Sequence, residues 1–208
     1  MKPIALIPFG SDSNCIDILE LHGNHVVAHH CAEVALEQGY RIRMLPMLSN
    51  QPLRCEGADY IINLCEGEPG QAWGFVEGTR RIEASGIPFS GNSSRCLANC
   101  TDKIRMKSVM IRSGLPTPRW WDLKNGRLSA IHYPVIIKPV ACHGSLLVSY
   151  NNVCIGRGDL ERFMKGKDVA GWFAEQFMEG EEISIGIVAG EPVGWIKARF
   201  HWKDPIRR

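Results

Sequence analysis

The first half of the chain places short apolar runs between stretches of helical spacing. Residues 4–7, 41–45 and 60–64 read as three strands, and the apolar run of the third suits a parallel sheet covered on both faces. Helical spacing predicts a helix over residues 22–38, with Gly39 just past its end, where a left-handed cap costs glycine little. A second helix is predicted over residues 71–85, ended by Gly86, and Ile87-Pro88-Phe89 reads as a short strand. Strand, helix, strand, strand, helix, strand is the order of a small, mainly parallel sheet. Residues 63–70 follow the third strand with Asn, Glu and Gly, and the carboxyl ends of such strands are where open α/β sheets bind ligands.

The second half reads differently. Residues 94–113 are helical but break at Thr101-Asp102, a pair suited to capping a new helix that Lys103 opens. Gly114 and Pro116 stop that helix, residues 117–123 form a strand carrying Trp120 and Trp121, and residues 124–127 turn. Val135, Ile136 and Ile137 then make a buried strand and put Lys138 on a rigid element. Pro139 ends the ladder for want of an amide proton. In the loop that follows, His143, Gly144 and Ser145 offer close backbone approach, a hydroxyl and amides that can face an anion. A phosphate is the natural guest, and a buried strand whose lysine snorkels to water is the plainer alternative. Residues 159–164 predict a short helix, and residues 172–178 and 182–189 two strands. Glu179-Gly180-Glu181 between them predicts a tight antiparallel turn.

Composition changes this picture little. The 208 residues are 45% apolar and 22% charged, ordinary for a globular protein of one or two domains. A net charge of +2 with no basic block implies no nucleic-acid partner. The apolar start is too short for a signal peptide and no segment approaches a membrane span, so the expectation is cytoplasmic, with no membrane partner. Eight cysteines at irregular spacings, without Cys-x-x-Cys, predict reduced thiols. Cys96 and Cys100 stand at a metal-compatible spacing, yet buried free cysteine is the commoner case. His22, His25 and His29 share one helix face with Glu33 near, but spacing alone gives neither a fourth ligand nor a second shell, so no metal site is assigned.

One ordered set carries chemistry: Lys103 opening a helix, Lys138 ending a strand, the His143-Gly144-Ser145 loop, and a strand with Glu175 and Glu182 at its ends. Nucleotide binding explains all of them. Lysines attract phosphates, backbone near residues 175–178 can read an adenine edge, and a carboxylate can accept two ribose hydroxyls. Structural salt bridges are the competing reading for each residue taken singly.

With these residues in place, the sequence resembles the ATP-grasp superfamily, and within it D-alanine-D-alanine ligase and its relatives, over nearly the whole chain. Residues 83–91 look like the segment closing that family's N-terminal domain, and Thr101-Asp102-Lys103 matches its Asp-Lys pair. Residues 133–139 match the strand of the second ATP lysine, and residues 174–182 match the hinge-to-ribose segment. The resemblance implies that Lys103 and Lys138 touch ATP phosphates and that Glu175 takes the adenine amino group. By it Gln176 and Met178 line the purine with their backbone, Phe177 lies between them, and Glu182 holds the ribose. It implies an α/β fold: a small mainly parallel N-terminal α/β domain (1–92), an ATP-grasp central α+β domain with antiparallel strands (93–183), and the start of a C-terminal lobe (184–208). ATP is the implied cofactor, an amino acid or peptide the implied substrate, and a homodimer a further possible partner.

The departures are as specific. Ser145 is followed by Leu146, Leu147 and Val148 where the family's loop is richer in serine and glycine, and Gly23 and Asn24 stand where the ligases carry an acidic substrate residue. The family's Mg²⁺ ligands lie well beyond the ribose glutamate, whereas here 17 residues follow Glu191 and Asp204 is their sole acid. Metal bridging the phosphates is needed to activate a carboxylate as an acyl phosphate. The sequence therefore predicts an ATP-dependent carboxylate-amine ligase in incomplete or inactive form, with catalytic residues unassigned. The alternative is a non-catalytic nucleotide-binding module.

Overall fold

The computed structural model describes residues 3–8, 18–45, 53–65, 73–124, 128–142 and 147–197, with side chains from residue 27 onward. They fall into two compact units, Met1–Met106 and Lys107–Arg208.

The first unit opens with β1 (Pro3–Pro8), α1 (Ile18–Glu37), β2 (Arg41–Met44) and β3 (Tyr60–Leu64). The three strands make a parallel sheet in the order β2-β1-β3, with Ile4 opposite both Ile42 and Tyr60. This is the expected parallel sheet, although α1 begins about a turn before the predicted start. Gly39 ends α1 at φ 82°, and the amides of Gly39 and Tyr40 donate to the carbonyls of Leu36 and Ala35, a Schellman cap that satisfies two carbonyls of the last turn. Helix α2 (Gly74–Glu83) buries Val76, Thr79 and Ile82 at three-residue spacing, and Ile82 packs on Cys55, Ile61 and Cys65. It is shorter at both ends than predicted. The strand expected over 87–89 is reduced to a single bridge between Ile61 and Phe89, because Pro88 has no amide to extend a ladder.

Helices α3 (Ser94–Thr101) and α4 (Lys103–Arg112) meet at Asp102, as their sequence predicts. Ser93 Oγ accepts from the Cys96 amide, and Asp102 Oδ1 accepts from the Arg105 amide at 2.9 Å; each satisfies a donor the first turn would otherwise leave bare. Glu83 adds a second tie to α3, its carboxylate accepting from the amide and the hydroxyl of Ser94 at 2.9 and 2.5 Å. Those two bonds hold its pKa below the ordinary glutamate value.

The second unit is built on a four-stranded antiparallel sheet. Its strands are β4 (Trp120–Asp122), β5 (Val135–Pro139), β6 (Val153–Cys154) and β7 (Trp172–Gln176), in the order β4-β7-β5-β6. The strand expected over 117–123 is confined to three residues, since Pro118 cannot donate. Strand alternation sends Val135, Ile137 and Ala174 to one face, where they bury against Leu160 of α5 (Arg157–Met164) together with Leu123, Ile131 and Cys154. Each fully buried aliphatic side chain there contributes roughly 1.5–3 kcal/mol, which fixes the strand register. The opposite face carries Ile136, Lys138, Phe173 and Glu175.

One expectation fails. Residues 179–181 do not close a hairpin between β7 and the next strand: β7 pairs with β4 and β5 on its two sides, so neither edge is open. Strand β8 (Ile183–Val188) pairs instead with β9 (Glu191–Lys197), a strand the sequence reading missed. Ala189 and Gly190, at φ 52° and 88°, form the two-residue turn between them, whose twist suits a hairpin.

Candidate nucleotide-binding site

The non-core face of β5 and β7 holds an ionic cluster. Direct pairing of Ile136 with Glu175 and of Lys138 with Phe173 makes Lys138 and Glu175 diagonal neighbours on one face. Lys138 Nζ lies 2.5 Å from Glu175 Oε2. The other carboxylate oxygen, Oε1, pairs with Nζ of Lys107 from α4. Lys107 also donates to Thr117 Oγ1 at 2.8 Å and to the Pro118 carbonyl at 3.2 Å, so all three of its ammonium protons are used.

Burial separates the two lysines. The Lys107 side chain is 2% exposed and that of Lys138 30%. Burial pushes the Glu175 carboxyl up, but the ammonium groups of Lys138 and Lys107 more than offset it and hold its pKa below the ordinary value. Two cations on one carboxylate leave the cluster with a net positive charge. Lys138 has one proton engaged by Glu175 and, among the described residues, two with no partner.

The hinge after β7 is the second feature. The Gln176 amide donates to the Arg119 carbonyl at 2.8 Å and the Phe177 amide to the Pro134 carbonyl at 3.0 Å. No hydrogen bond to a described residue engages the Met178 amide, and Met178 is exposed. A base edge would therefore meet the donor of Met178 rather than those of Gln176 and Phe177. Glu182 is exposed two residues beyond Gly180, while Lys103 opens α4 at the end of the first unit.

Several sequence expectations lie outside the described residues: the His143, Gly144 and Ser145 loop, residues 66–70, and the side chains of His22 and His25. Among the described residues no three His, Cys, Asp or Glu side chains gather as a metal cage. None of the described cysteines is in a disulfide, and burial together with Cys96 pushes the Cys100 thiol up. No helix among the described residues is long and apolar enough to cross a membrane. The residue missed in the sequence was Lys107. It lies three positions after Ile104 and three before Met110, where helical spacing calls for an apolar side chain, and a lysine there signals a buried partner.

No protein-family profile matches the chain. Curated relatives do: a D-alanine–D-alanine ligase of Synechococcus sp. is 27% identical over 183 residues, covering 80% of this chain and 54% of the relative. D-alanine–D-alanine ligase A of Bacillus cereus is 24% identical over 191 residues, covering 85% and 58%. The solved D-alanine–D-alanine ligase of Bacillus anthracis, complexed with ATP, superposes with a TM-score of 0.71 at 19% identity over 97% of this chain and 67% of that one. The chain has the ATP-grasp fold of these ligase structures and is similar in sequence to D-alanine–D-alanine ligases. It spans about half the length of the curated relatives it matches. Within this ligase-like fold the Lys107–Glu175–Lys138 cluster lies in the second unit, on the sheet whose hinge carries Gln176 to Met178.

Proposed function

We propose that the second unit binds ATP on the Lys138–Glu175 face, with the purine at the residue 176–178 hinge, and that the whole protein couples ATP to carboxylate-amine ligation. The observation that carries this reading is Lys138. A strand-borne, partly exposed ammonium keeps, among the described residues, two donors for phosphate oxygens while a buried carboxylate holds it in place. The Met178 amide, three positions after Glu175, adds a donor, which suits the one-sided reading of an adenine edge. Lys103, the His143-Gly144-Ser145 loop and Glu182 belong to the same reading as phosphate, lid and ribose contacts, supported by their match to the ATP-grasp motifs. So does the substrate class, an amino acid or peptide, supported by relatives named D-alanine–D-alanine ligase.

Ligation through an acyl phosphate requires the transferred phosphoryl group to be positioned and its charge neutralised. Mg²⁺ would supply much of that neutralisation, and Lys138 the part that these residues provide. The second reading is a module that binds nucleotide without turnover. A phosphate-release assay with ATP, Mg²⁺ and a panel of amino acids and dipeptides separates them. Release that depends on the amino acid and disappears in Lys138→Ala supports ligation; saturable ATP binding without release supports the module.

A further inference from the structure

The nucleotide reading gives Lys138 and Glu175 roles but leaves Lys107 without one. At 2% exposure Lys107 cannot touch a ligand, and its three protons are spent on Glu175, Thr117 and Pro118. Among the described residues its one charged partner is the carboxylate that also holds Lys138. With Lys138 alone, Glu175 would form a neutral pair and cancel the charge that a polyphosphate is drawn to. With Lys107 on Oε1, the cluster keeps one net positive charge, and that charge emerges at Lys138, the exposed member.

We propose that Lys107 is a positioning residue that keeps Lys138 cationic in effect, by occupying one oxygen of Glu175 and so reserving the charge of Lys138 for an oligophosphate. The proposal rests on the nucleotide reading. It assigns α4 a part in ligand recognition through a side chain that meets no ligand. It also explains why a lysine stands on a helix face where an apolar residue would otherwise pack: a buried cation is retained only where a partner repays its desolvation.

The test is a binding panel of ATP, inorganic tripolyphosphate and adenosine, measured by calorimetry on the wild-type chain, Lys107→Met and the double variant Lys107→Met/Glu175→Gln. Tripolyphosphate has no base, so its affinity is blind to any adenine contact of Glu175. Loss of one charge-assisted contact corresponds to about a 10-fold or greater loss in affinity; Lys107→Met should therefore lose that much for ATP and tripolyphosphate and less than about 3-fold for adenosine. The double variant removes the carboxylate charge along with the lysine, leaves Lys138 a carbonyl oxygen to lean on, and should return tripolyphosphate to within about 3-fold of wild type. The double variant also decides the matter if Lys107→Met alone does not fold. An equal loss for all three ligands, or a folded double variant that stays more than about 10-fold weaker for tripolyphosphate, would overturn the inference while leaving ATP binding intact. A wild-type chain that binds neither ATP nor tripolyphosphate would overturn the nucleotide reading, and this inference with it.

Discussion

Lys138 and Glu175 meet across a diagonal of the β5–β7 ladder, with the ammonium 2.5 Å from Oε2. The pair is asymmetric in its stability role, because among the described residues Glu175 is also the sole charged partner of the buried Lys107. Removing Glu175 strands a buried cation; removing Lys138 leaves Glu175 still paired. Glu175→Ala should therefore cost about 3–5 kcal/mol, and Lys138→Met less than about 1 kcal/mol once the solvent exposure of that lysine is allowed for. Urea denaturation of the two variants checks the ordering, and equal losses would contradict it.

Acid titration addresses the same carboxylate. Its folded-state pKa lies below the ordinary 4.5, so the unfolded chain takes up the proton first as pH falls. The stability it contributes is fully present above pH 4.5 and is lost as pH drops through the lowered folded-state value. Glu83, held down by Ser94, acts in the same direction. Stability measured between pH 6 and pH 3 should fall less steeply in Glu175→Gln than in wild type. Parallel curves would mean that Glu175 has no depressed pKa.

The cysteines give a chemical readout of burial. Cys154 is 1% exposed, and burial and Asp159 push its thiol up to about 11. At pH 8 its thiolate fraction is roughly 100-fold below that of an ordinary cysteine. A disulfide-exchange reagent should leave Cys154 unmodified in the native protein and reach all eight thiols in denaturant without reductant. Modification of native Cys154 within minutes, or fewer than about six thiols in denaturant, would contradict this account.

The β8–β9 hairpin should open before the four-stranded sheet. Ile185, Ile187, Val193 and Trp195 are each more than 60% exposed, and a two-stranded hairpin without a covered face is marginal by itself. Amides of β8 and β9 should exchange with solvent on the order of 100-fold faster than those of β5 and β7. Equal protection would show that the hairpin is covered.

What the sequence disclosed depended on how local the determinant was. The Thr101-Asp102 break and the Gly39 cap were legible because a cap is settled by a few consecutive residues. The strand of Val135 to Ile137 was legible from its β-branched run. Pairing partners were not. The Glu179-Gly180-Glu181 turn looked like a hairpin, yet both edges of β7 were already taken by β4 and β5, a fact set by residues far away in sequence. Lys107 escaped for a similar reason: its importance lies in a carboxylate 68 positions later, which helical spacing does not reveal. Lys138 and Glu175 were both singled out, but the bond between them is visible only in the register of two strands.

The most direct measurement of the central claim is the affinity of ATP for the wild-type chain and for Lys138→Ala, read by calorimetry with thermal unfolding as a control for folding. On the proposed reading the strand-borne ammonium would supply a charge-assisted contact of roughly 1.5–3 kcal/mol, so its loss should weaken ATP by about 10- to 100-fold while the unfolding temperature changes little. A folded Lys138→Ala protein that binds ATP as tightly as wild type would contradict the assignment and return Lys138 to a structural salt bridge.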